Sequence, residues 1–318
     1  MQRRAAQARL LLVLCCATLS CSAPGVRSAP SRFELFVLGT AQDGGLPHFG
    51  CERPCCANAR RDGRVLYPAS LGVVDHTSGS LLLVEATPRV EEQVALLQRL
   101  AGITGRGRKP VDAVLVTHAH IGHYLGLAFF GREVASAAQL PVHCSPRFAS
   151  FLRTNGPWRQ LVELEQIAPR EFLVEQPFAP IEGLEVTAIA VPHRDEFSDT
   201  MAFQIRGPNR AVLFVPDIDA WDRAPGLLDR LLAGIDTAYV DGTFFDGSEL
   251  PERNMAEIRH PLITDTMQRL QHFARLHPGA VRFIHLNHSN PALREPAVTA
   301  RIEAAGFAVA QPGERVSL

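Results

Sequence analysis

A dense histidine cluster is the feature that most constrains what this chain can fold into. His118, His120 and His123 fall within six residues, directly after the apolar run 113–116, which predicts a buried strand. Alternate residues on an extended segment project together, so imidazoles at this spacing meet at the end of the strand. Imidazole is a ligand suited to zinc, iron and related divalent metals. Surface histidines gathered by chance are the simpler alternative, but the density of the cluster favours a metal site.

The composition is that of an ordinary globular protein. The chain has 318 residues, of which 46% are hydrophobic and 20% charged, which is enough for one large domain or two small ones. Its net charge of −1 gives no general positive field that would attract nucleic acid. We therefore expect a small-molecule substrate and no nucleic-acid partner.

The N-terminus predicts an export signal. Three arginines precede the apolar run Leu10–Leu19, which is too short to span a bilayer, and a Ser/Pro/Gly-rich segment follows it. This pattern predicts a signal and linker over residues 1–30 and a folded domain over residues 31–318. Cys21 ends an imperfect bacterial lipobox, and ordinary cleavage at the nearby alanines would leave a proline next. We therefore favour a lipidated Cys21, hence export to the bacterial periplasm or lipid anchoring at the membrane.

Alternation and periodicity predict an α/β chain. Strands are expected where short apolar runs end at glycine, proline or polar residues, and helices where apolar residues recur at helical spacing. The predicted strands are 33–39, 70–74, 80–85, 113–116, 141–144, 184–191, 201–205, 211–215, 237–240, 281–284 and 307–310. The predicted helices are 55–61, 90–100, 127–135, 147–164 with a break near 155–157, 262–276 and 297–305.

Several predicted strands in the second half end in a side chain that can bind metals. His193 follows one strand, Asp217 another, and His285 and His288 a third. Each is weak evidence alone, because a histidine at a strand end is more often structural and an aspartate there can cap the next turn. Together they indicate a two-sheet sandwich with helices outside.

The cysteines favour a metal site over a disulfide framework. Cys51, Cys55 and Cys56 lie within six residues of one another, so they cannot all pair among themselves. Their spacing is closer to that of a thiolate metal knuckle. A disulfide from Cys51 to Cys55 or Cys56 is the alternative in an oxidising compartment.

The histidine cluster resembles the H-x-H-x-D-H signature of the metallo-β-lactamase superfamily, with Gly122 where the family has its aspartate. His193, Asp217 and His285 match the order and rough spacing of the family's later metal motifs. Over residues 33–293 the resemblance implies an α/β fold, an αββα sandwich of two mixed β-sheets with outer helices. It implies one metal bound by His118, His120 and His193, and a second bound by His123 and His285, with Asp217 bridging.

Finer motifs narrow the branch. The Leu46-Pro47 turn, the cysteine cluster and the segment 283–291 resemble pyrroloquinoline-quinone biosynthesis protein B and the phosphonate-pathway cyclic phosphodiesterases. In those proteins a cysteine cluster binds a structural zinc. The resemblance implies a structural zinc here on Cys51, Cys55, Cys56 and His288, with His48 as a competing donor.

The glycine in the signature affects the expected chemistry. Gly122 supplies no ligand, so the second metal is expected to bind weakly unless another carboxylate serves, and Gly122→Asp is expected to raise the metal content. Asp43, in the turn after the first strand, is the carboxylate we nominate, although it could simply cap that turn. His260 matches a histidine that protonates the leaving oxygen in related phosphodiesterases, although a plain helix-entry residue is the alternative.

The predicted function is metal-dependent hydrolysis, in which a metal-bound hydroxide attacks an ester or phosphodiester. The expected cofactors are one or two catalytic Zn²⁺ ions and one structural Zn²⁺, with iron or manganese as alternatives at the catalytic site. One alternative function is an iron-dependent oxidase or hydroxylase like that of quinone biosynthesis. Another is a degenerate metal-binding protein that lost hydrolysis with the aspartate.

Overall fold

Two seven-stranded sheets form the centre of the computed structural model, which describes residues 31–318. The strands are β1 Phe33–Gly39, β2 Ser70–Asp75, β3 Ser80–Val84, β4 Ala113–Leu115, β5 Leu140–Cys144, β6 Ile167–Glu171, β7 Pro177–Phe178, β8 Glu185–Val191, β9 Thr200–Arg206, β10 Ala211–Val215, β11 Thr237–Asp241, β12 Val281–Ile284, β13 Ala308–Val309 and β14 Arg315–Ser317. The first sheet has the order β14-β1-β2-β3-β4-β5-β6 and the second β13-β12-β11-β10-β9-β8-β7.

Helices connect the strands. They are α1 Pro54–Arg61, α2 Val90–Ala101, α3 Ile121–Tyr124, α4 Pro146–Thr154, α5 Trp158–Glu163, α6 Leu227–Leu232, α7 Ile263–Leu276 and α8 Pro296–Ala304. Short 3₁₀ segments lie at Leu125–Phe130, Met255–Glu257 and Pro291–Leu293.

Three apolar layers show how the two sheets pack. Successive side chains of a strand point to opposite faces, and in β1 Phe33, Leu35 and Val37 face the second sheet. Phe36 and Leu38, the intervening residues, pack instead in a separate layer with residues of α2 and α4. A third layer lies between the second sheet and α6, α7 and α8. The predicted fold class is therefore confirmed: an αββα sandwich of two mixed sheets with outer helices.

Strand direction brings the predicted site residues to one edge. In the first sheet β3, β4 and β5 are parallel, and β1 runs the same way because two antiparallel pairings separate it from β3. In the second sheet β10, β11 and β12 are parallel, and β8 shares their direction through β9. The carboxyl ends of these strands carry the polar loops.

A backbone connection joins the two sheets at this edge. Gln42 N–H donates to the carbonyl of Leu286 at 2.9 Å, and Leu286 N–H donates to the carbonyl of Thr40 at 2.9 Å. The turn after β1 is thereby fixed beside the end of β12. Asp43 and His285, which are far apart in sequence, become neighbours for this reason.

Several elements differ from the sequence prediction. The predicted helix 127–135 is wrong: Leu125–Phe130 is a 3₁₀ segment, and the backbone becomes extended at Gly131, a residue of low helix propensity. Strands β6, β7 and β14 and helix α6 were not predicted, since they are short or polar. Strand β14 nevertheless pairs with β1.

The predicted signal and lipidated Cys21 lie outside the described residues. Among residues 31–318, no helix is both long and apolar enough to cross a membrane.

Candidate metal centre

The first cluster of donor atoms is formed by three histidines and one aspartate. His120 Nδ1 lies 2.8 Å from His118 Nε2 and 3.3 Å from His193 Nε2. Asp217 completes the cluster, with its carboxylate oxygens 3.5 Å from His118 Nε2 and 3.4 Å from His193 Nε2. The structure thus brings together the residues expected to hold the first metal.

The second cluster shares Asp217. His123 Nε2 lies 3.3 Å from Asp217 Oδ2 and 3.2 Å from Asp43 Oδ1. His285 Nε2 lies 3.2 Å from the same Asp43 oxygen and 3.8 Å from Asp217 Oδ2. The donor atoms of each cluster all lie within 4.8 Å of one another. His285 itself adopts φ +62°, an uncommon conformation outside glycine.

These separations fit a coordinated cation. Tetrahedral geometry with bonds of ~2.1 Å puts neighbouring donor atoms ~3.4 Å apart. Within residues 31–318, His123 Nε2 and Asp217 Oδ1 are buried atoms that have no well-aligned hydrogen bond. Such atoms are costly in a folded protein unless a metal or water satisfies them. The residues present therefore fit a divalent metal of the zinc type.

Burial and charge prepare the donors for a cation. Burial, aided by the neighbouring His123, holds the pKa of His118 well below its usual range, so His118 is neutral and can coordinate. Burial raises the pKa of Asp217, but His285 and His260 outweigh burial and hold that pKa well below the carboxylate range. Burial lowers the pKa of His123, but Asp217 and Asp43 outweigh burial and raise that pKa well above its usual value. The carboxylates therefore favour positive charge at the centre.

Outer partners orient the ligand histidines, as in other metal sites. These partners, none of which the sequence interpretation identified, are Thr117 for His118 (2.8 Å), Glu196 for His120 (3.0 Å), Asp219 for His193 (3.0 Å) and Thr243 for His285 (2.9 Å). Glu85 Oε2 lies 3.4 Å from His123 Nδ1, but within residues 31–318 neither atom has a well-aligned hydrogen bond. Thr243 donates its hydroxyl proton to Asp241 at 2.7 Å, which leaves its oxygen to accept from His285 Nδ1–H. Glu85 directly follows β3, so its position at a strand end was the signal available in the sequence.

Asp43 occupies the space beside Gly122. A Cβ atom added at Gly122 would lie 2.2 Å from Asp43 Oδ1 and 2.3 Å from its Cγ, far inside contact distance. Glycine is therefore what allows the carboxylate to enter the second cluster from the turn after β1. On this geometry we expect Gly122→Asp to lower the metal content rather than raise it, because the new side chain would displace Asp43.

His260 lies at the boundary of the second cluster. Its Nδ1 is 2.8 Å from Asp241 Oδ2 and 3.2 Å from Asp217 Oδ1. Burial lowers the pKa of His260, but Asp241 and Asp217 outweigh it and raise that pKa to about 9. Asp241, His260 and His285 also converge within 4.8 Å, so His260 is placed to act as a proton donor or as a ligand.

A separate sulfur-rich cluster is formed by the start of α1 and the residues just before it, which follow β1, and by the loop after β12. The donor atoms of Cys51, Cys55, Cys56 and His288 all lie within 4.8 Å of one another. Cys55 and Cys56 stand in the first turn of α1, with their sulfurs 3.9 Å apart. The turn of the helix is how two successive side chains reach one point. All four cysteines of residues 31–318 are free, which differs from the disulfide alternative.

The chemistry of this cluster also fits a metal. Burial and the neighbouring cysteines raise the pKa of Cys56 to about 12, so a thiolate there needs a nearby cation. Burial and His48 lower the pKa of His288 to about 4, and its buried Nδ1 has no hydrogen bond. His48 is outside the donor set: its ring is tilted by 31° to that of His288 with the centroids 4.5 Å apart, and its backbone N–H donates to Cys56 Sγ.

Comparison with known proteins agrees with this geometry. A family profile described as the beta-lactamase superfamily domain matches residues 80–286. Coenzyme PQQ synthesis protein B of Methylobacterium sp. (strain 4-46) is 26% identical over 306 residues, covering 90% of this chain and 100% of that protein.

Two solved structures are similar over nearly the whole chain. Zn²⁺-bound PqqB from Methylobacterium extorquens has a TM-score of 0.75 at 20% identity, over 90% of this chain and 100% of its own. A diphosphatase of the PhnP family has a TM-score of 0.64 at 18% identity, over 89% and 96% of the two chains. At these identities the structures establish the shared fold. This chain belongs to the metallo-β-lactamase superfamily, in a branch similar to coenzyme PQQ synthesis protein B.

Proposed function

We propose that the protein is a metal-dependent hydrolase of ester or phosphodiester bonds. One observation carries this proposal: two clusters of buried and half-buried histidine and carboxylate donors share Asp217 at the edge where the strands of both sheets end. The similarity to a diphosphatase of the same fold supports it.

Each residue has a distinct task in this proposal. His118, His120 and His193 would hold one metal, His123, His285 and Asp43 would hold the second, and Asp217 belongs to both donor sets. A bound divalent metal supplies Lewis acidity and lowers the pKa of water toward neutrality. The protein contributes fixed orientation, since His118, His120, His193 and His285 each have a hydrogen-bonded outer partner for the ring. The zinc of the PqqB structure makes zinc the first metal to test here.

His260 is the residue we assign to proton delivery. Asp241 engages Nδ1 at 2.8 Å and favours the protonated ring, which leaves Nε2 to donate a proton to the leaving oxygen. Because Asp241 is fully buried, its carboxylate also fixes the orientation of the ring.

The sulfur-rich cluster is assigned a structural zinc. Three thiolates and one imidazole make a closed tetrahedral set with no position left for substrate. Such a site would connect the loop after β1 to the loop after β12, and so stabilise the positions of Asp43 and His285.

The hydrolase proposal is tested with purified protein and a panel of phosphodiesters and lactones. Bis(4-nitrophenyl) phosphate or a lactone should be hydrolysed, activity should disappear after metal chelation, and it should return with Zn²⁺. His118→Ala should remain folded and lose activity, because it removes a ligand of the first metal. Full activity in that variant would contradict the proposal.

A role in cofactor synthesis is the second candidate. Its support is the similarity to coenzyme PQQ synthesis protein B over 90% of this chain. In that case the protein would be an iron-dependent oxidase or hydroxylase. Iron in the purified protein, with oxygen consumption and no hydrolysis, would favour this second function.

We also propose export to the periplasm, supported by the arginines and apolar run of residues 1–30. Mass spectrometry of the mature N-terminus distinguishes the alternatives: a diacylated Cys21 supports lipid anchoring, and an intact Met1 contradicts export.

A further inference from the structure

The sulfur-rich cluster combines three neighbouring thiols with access to solvent. Cys51 and Cys55 are half-buried, whereas Cys56 is fully buried. Cys51 also lies in the wall of a cavity of about 420 Å³, whose lining includes the almost fully exposed Phe49. A small oxidant in solution therefore reaches Cys51 and Cys55 more readily than Cys56.

Chain geometry selects which two thiols can form a disulfide. The sulfurs of the cluster all lie within 4.8 Å of one another, so a disulfide needs only a local movement. Consecutive Cα atoms are about 3.8 Å apart, whereas disulfides usually span about 4.4–6.8 Å between Cα atoms, so Cys55 and Cys56 are a poor pair. Cys56 is also held in place, because its sulfur accepts the backbone N–H of His48 at 3.2 Å. Cys51 and Cys55 are therefore the favoured pair.

The segment that carries the three cysteines has little apolar packing of its own. Residues 46–66 form a small apolar cluster separate from the three layers around the sheets. Its buried members are Leu46, Cys56 and Ala59, and the half-buried Cys51, Cys55 and Leu66 pack against them. Half of these side chains are the cysteines of the sulfur-rich cluster, so a change at the metal site is also a change in the packing of the segment.

The contacts at the surface of this segment are weak connections to the rest of the fold. Arg53 pairs with Glu252, and Arg64 Nη1 donates to the carbonyl of Leu293 at 2.6 Å. Exposed charged contacts of this kind contribute little to stability. A zinc shared with His288, from the loop after β12, would be a much stronger connection, because binding of a structural metal contributes directly to folding.

We propose that the cluster is a redox switch in which hydrogen peroxide converts Cys51 and Cys55 into a disulfide and the structural zinc is released. The proposal rests on the structural zinc assigned above and does not depend on the hydrolase function. In this step the O–O bond of the peroxide breaks and an S–S bond forms. The two thiolates lose two electrons, and the peroxide takes up these electrons and two protons to become two water molecules. Cys56 and His288 are then too few donors for a closed tetrahedral site.

The effect should reach the catalytic centre through the turn after β1. Asp43 stands three residues before Leu46, where the segment begins, and its carboxylate belongs to the second donor cluster. Release of the segment should therefore weaken binding of the second metal by the ~10–100-fold that follows loss of a residue supporting a ligand. The first metal should stay bound, because His118 and His193 lie on other loops.

The test treats zinc-loaded protein with hydrogen peroxide and measures released zinc with a chromogenic chelator. The His118→Ala variant, dialysed to remove weakly bound metal, isolates the zinc of the sulfur-rich cluster and should release one zinc per chain. A digest of the oxidised protein cut after Glu52, which lies between the two cysteines, should give fragments joined by a Cys51–Cys55 disulfide, with Cys56 free to react with an alkylating agent. Dithiothreitol and Zn²⁺ should reverse the change.

Cys144→Ser is the matched control. Cys144 is a buried free cysteine that packs in the helix-side layer and not in the sulfur-rich cluster. This variant should release its zinc at the rate of the unaltered protein. Metal titration of the unaltered protein before and after oxidation measures the weakening of the second site, and an unchanged affinity there would overturn the connection to Asp43.

The remaining outcomes separate the switch from the zinc site. Zinc that stays bound, with all three thiols reduced after peroxide treatment, would overturn the switch and leave the structural zinc intact. A His118→Ala protein that holds no tightly bound zinc before treatment would overturn the structural zinc itself, while turnover of the unaltered protein still decides the hydrolase function. Release with sulfinic acids in place of a disulfide, or with a Cys51–Cys56 disulfide, would overturn the assigned pair.

Discussion

Gly122 and Asp43 should behave as an interdependent pair. An alanine Cβ at Gly122 would lie 2.2 Å from Asp43 Oδ1, whereas unstrained contacts between such atoms are about 3.5 Å. The carboxylate would have to move by about 1 Å, which far exceeds the ~0.2 Å tolerance of a metal–ligand distance. Gly122→Ala should therefore weaken binding of the second metal by at least the ~10–100-fold seen when an outer partner of a ligand is lost. Helix propensity alone would instead make Gly122→Ala stabilising, because alanine is favoured over glycine in α3.

A double-variant cycle tests this relationship by metal titration and elemental analysis. Asp43→Ala and Gly122→Asp should each reduce the metal content of the second cluster, and the combination should recover part of it by restoring a carboxylate from the other side. Gly247→Ala is the control, since a Cβ there meets no atom within 4 Å. The reasoning is refuted if Gly122→Asp alone keeps or raises the metal content, or if the double variant is no better than the poorer single one.

Three further predictions follow from particular contacts. His260→Gln should lower turnover of alkyl diesters by about 10²–10⁴-fold. Turnover of 4-nitrophenyl diesters should fall far less, because a good leaving group needs no proton. Equal losses for both kinds of diester would contradict the role of His260 as proton donor. Cys56→Ser should lose one zinc and lower the melting temperature, whereas His118→Ala should keep that zinc; an unchanged zinc content in Cys56→Ser would contradict the structural site. Burial raises the pKa of Asp75, but Arg32 at 2.9 Å, together with hydrogen bonds from Thr77 and Ser78, outweighs burial and lowers that pKa to about 2. Asp75→Asn should therefore lower the free energy of unfolding by about 2 kcal/mol at pH 7, as measured by chemical unfolding. The difference from the unaltered protein should shrink as the pH falls from about 4 through 2. A difference independent of pH would contradict the pairing.

The sequence predicted the elements whose signal is local. Strand β1 and helix α2 carry strong apolar patterns over seven and twelve residues, and the structure has them at nearly the predicted bounds. The fold class followed from the histidine cluster and the order of later motifs. Strand β14 escaped prediction because its three residues carry little pattern of their own and are defined by pairing with β1.

The residues of the candidate site likewise separate into those with a local sequence signal and those defined only by long-range contacts. The ligand histidines stand in recognisable motifs, so the sequence could nominate them. Asp219 and Glu196 could not be nominated, because their roles depend on loops that meet only in the folded chain, 26 and 76 residues from their histidine partners. The steric exclusion between Gly122 and Asp43 likewise depends on the approach of the turn after β1 to α3, which no local pattern encodes.

Anomalous X-ray diffraction at the zinc edge, on crystals of the purified protein, tests the central claim most directly. The account predicts one peak within about 2.0–2.2 Å of the facing nitrogens of His118, His120 and His193, and another about 2.3 Å from the sulfurs of Cys51, Cys55 and Cys56. A weaker peak between Asp43 and His285 would mark the second catalytic metal. The absence of any peak at the three histidines, in protein grown and purified with zinc, would contradict the account.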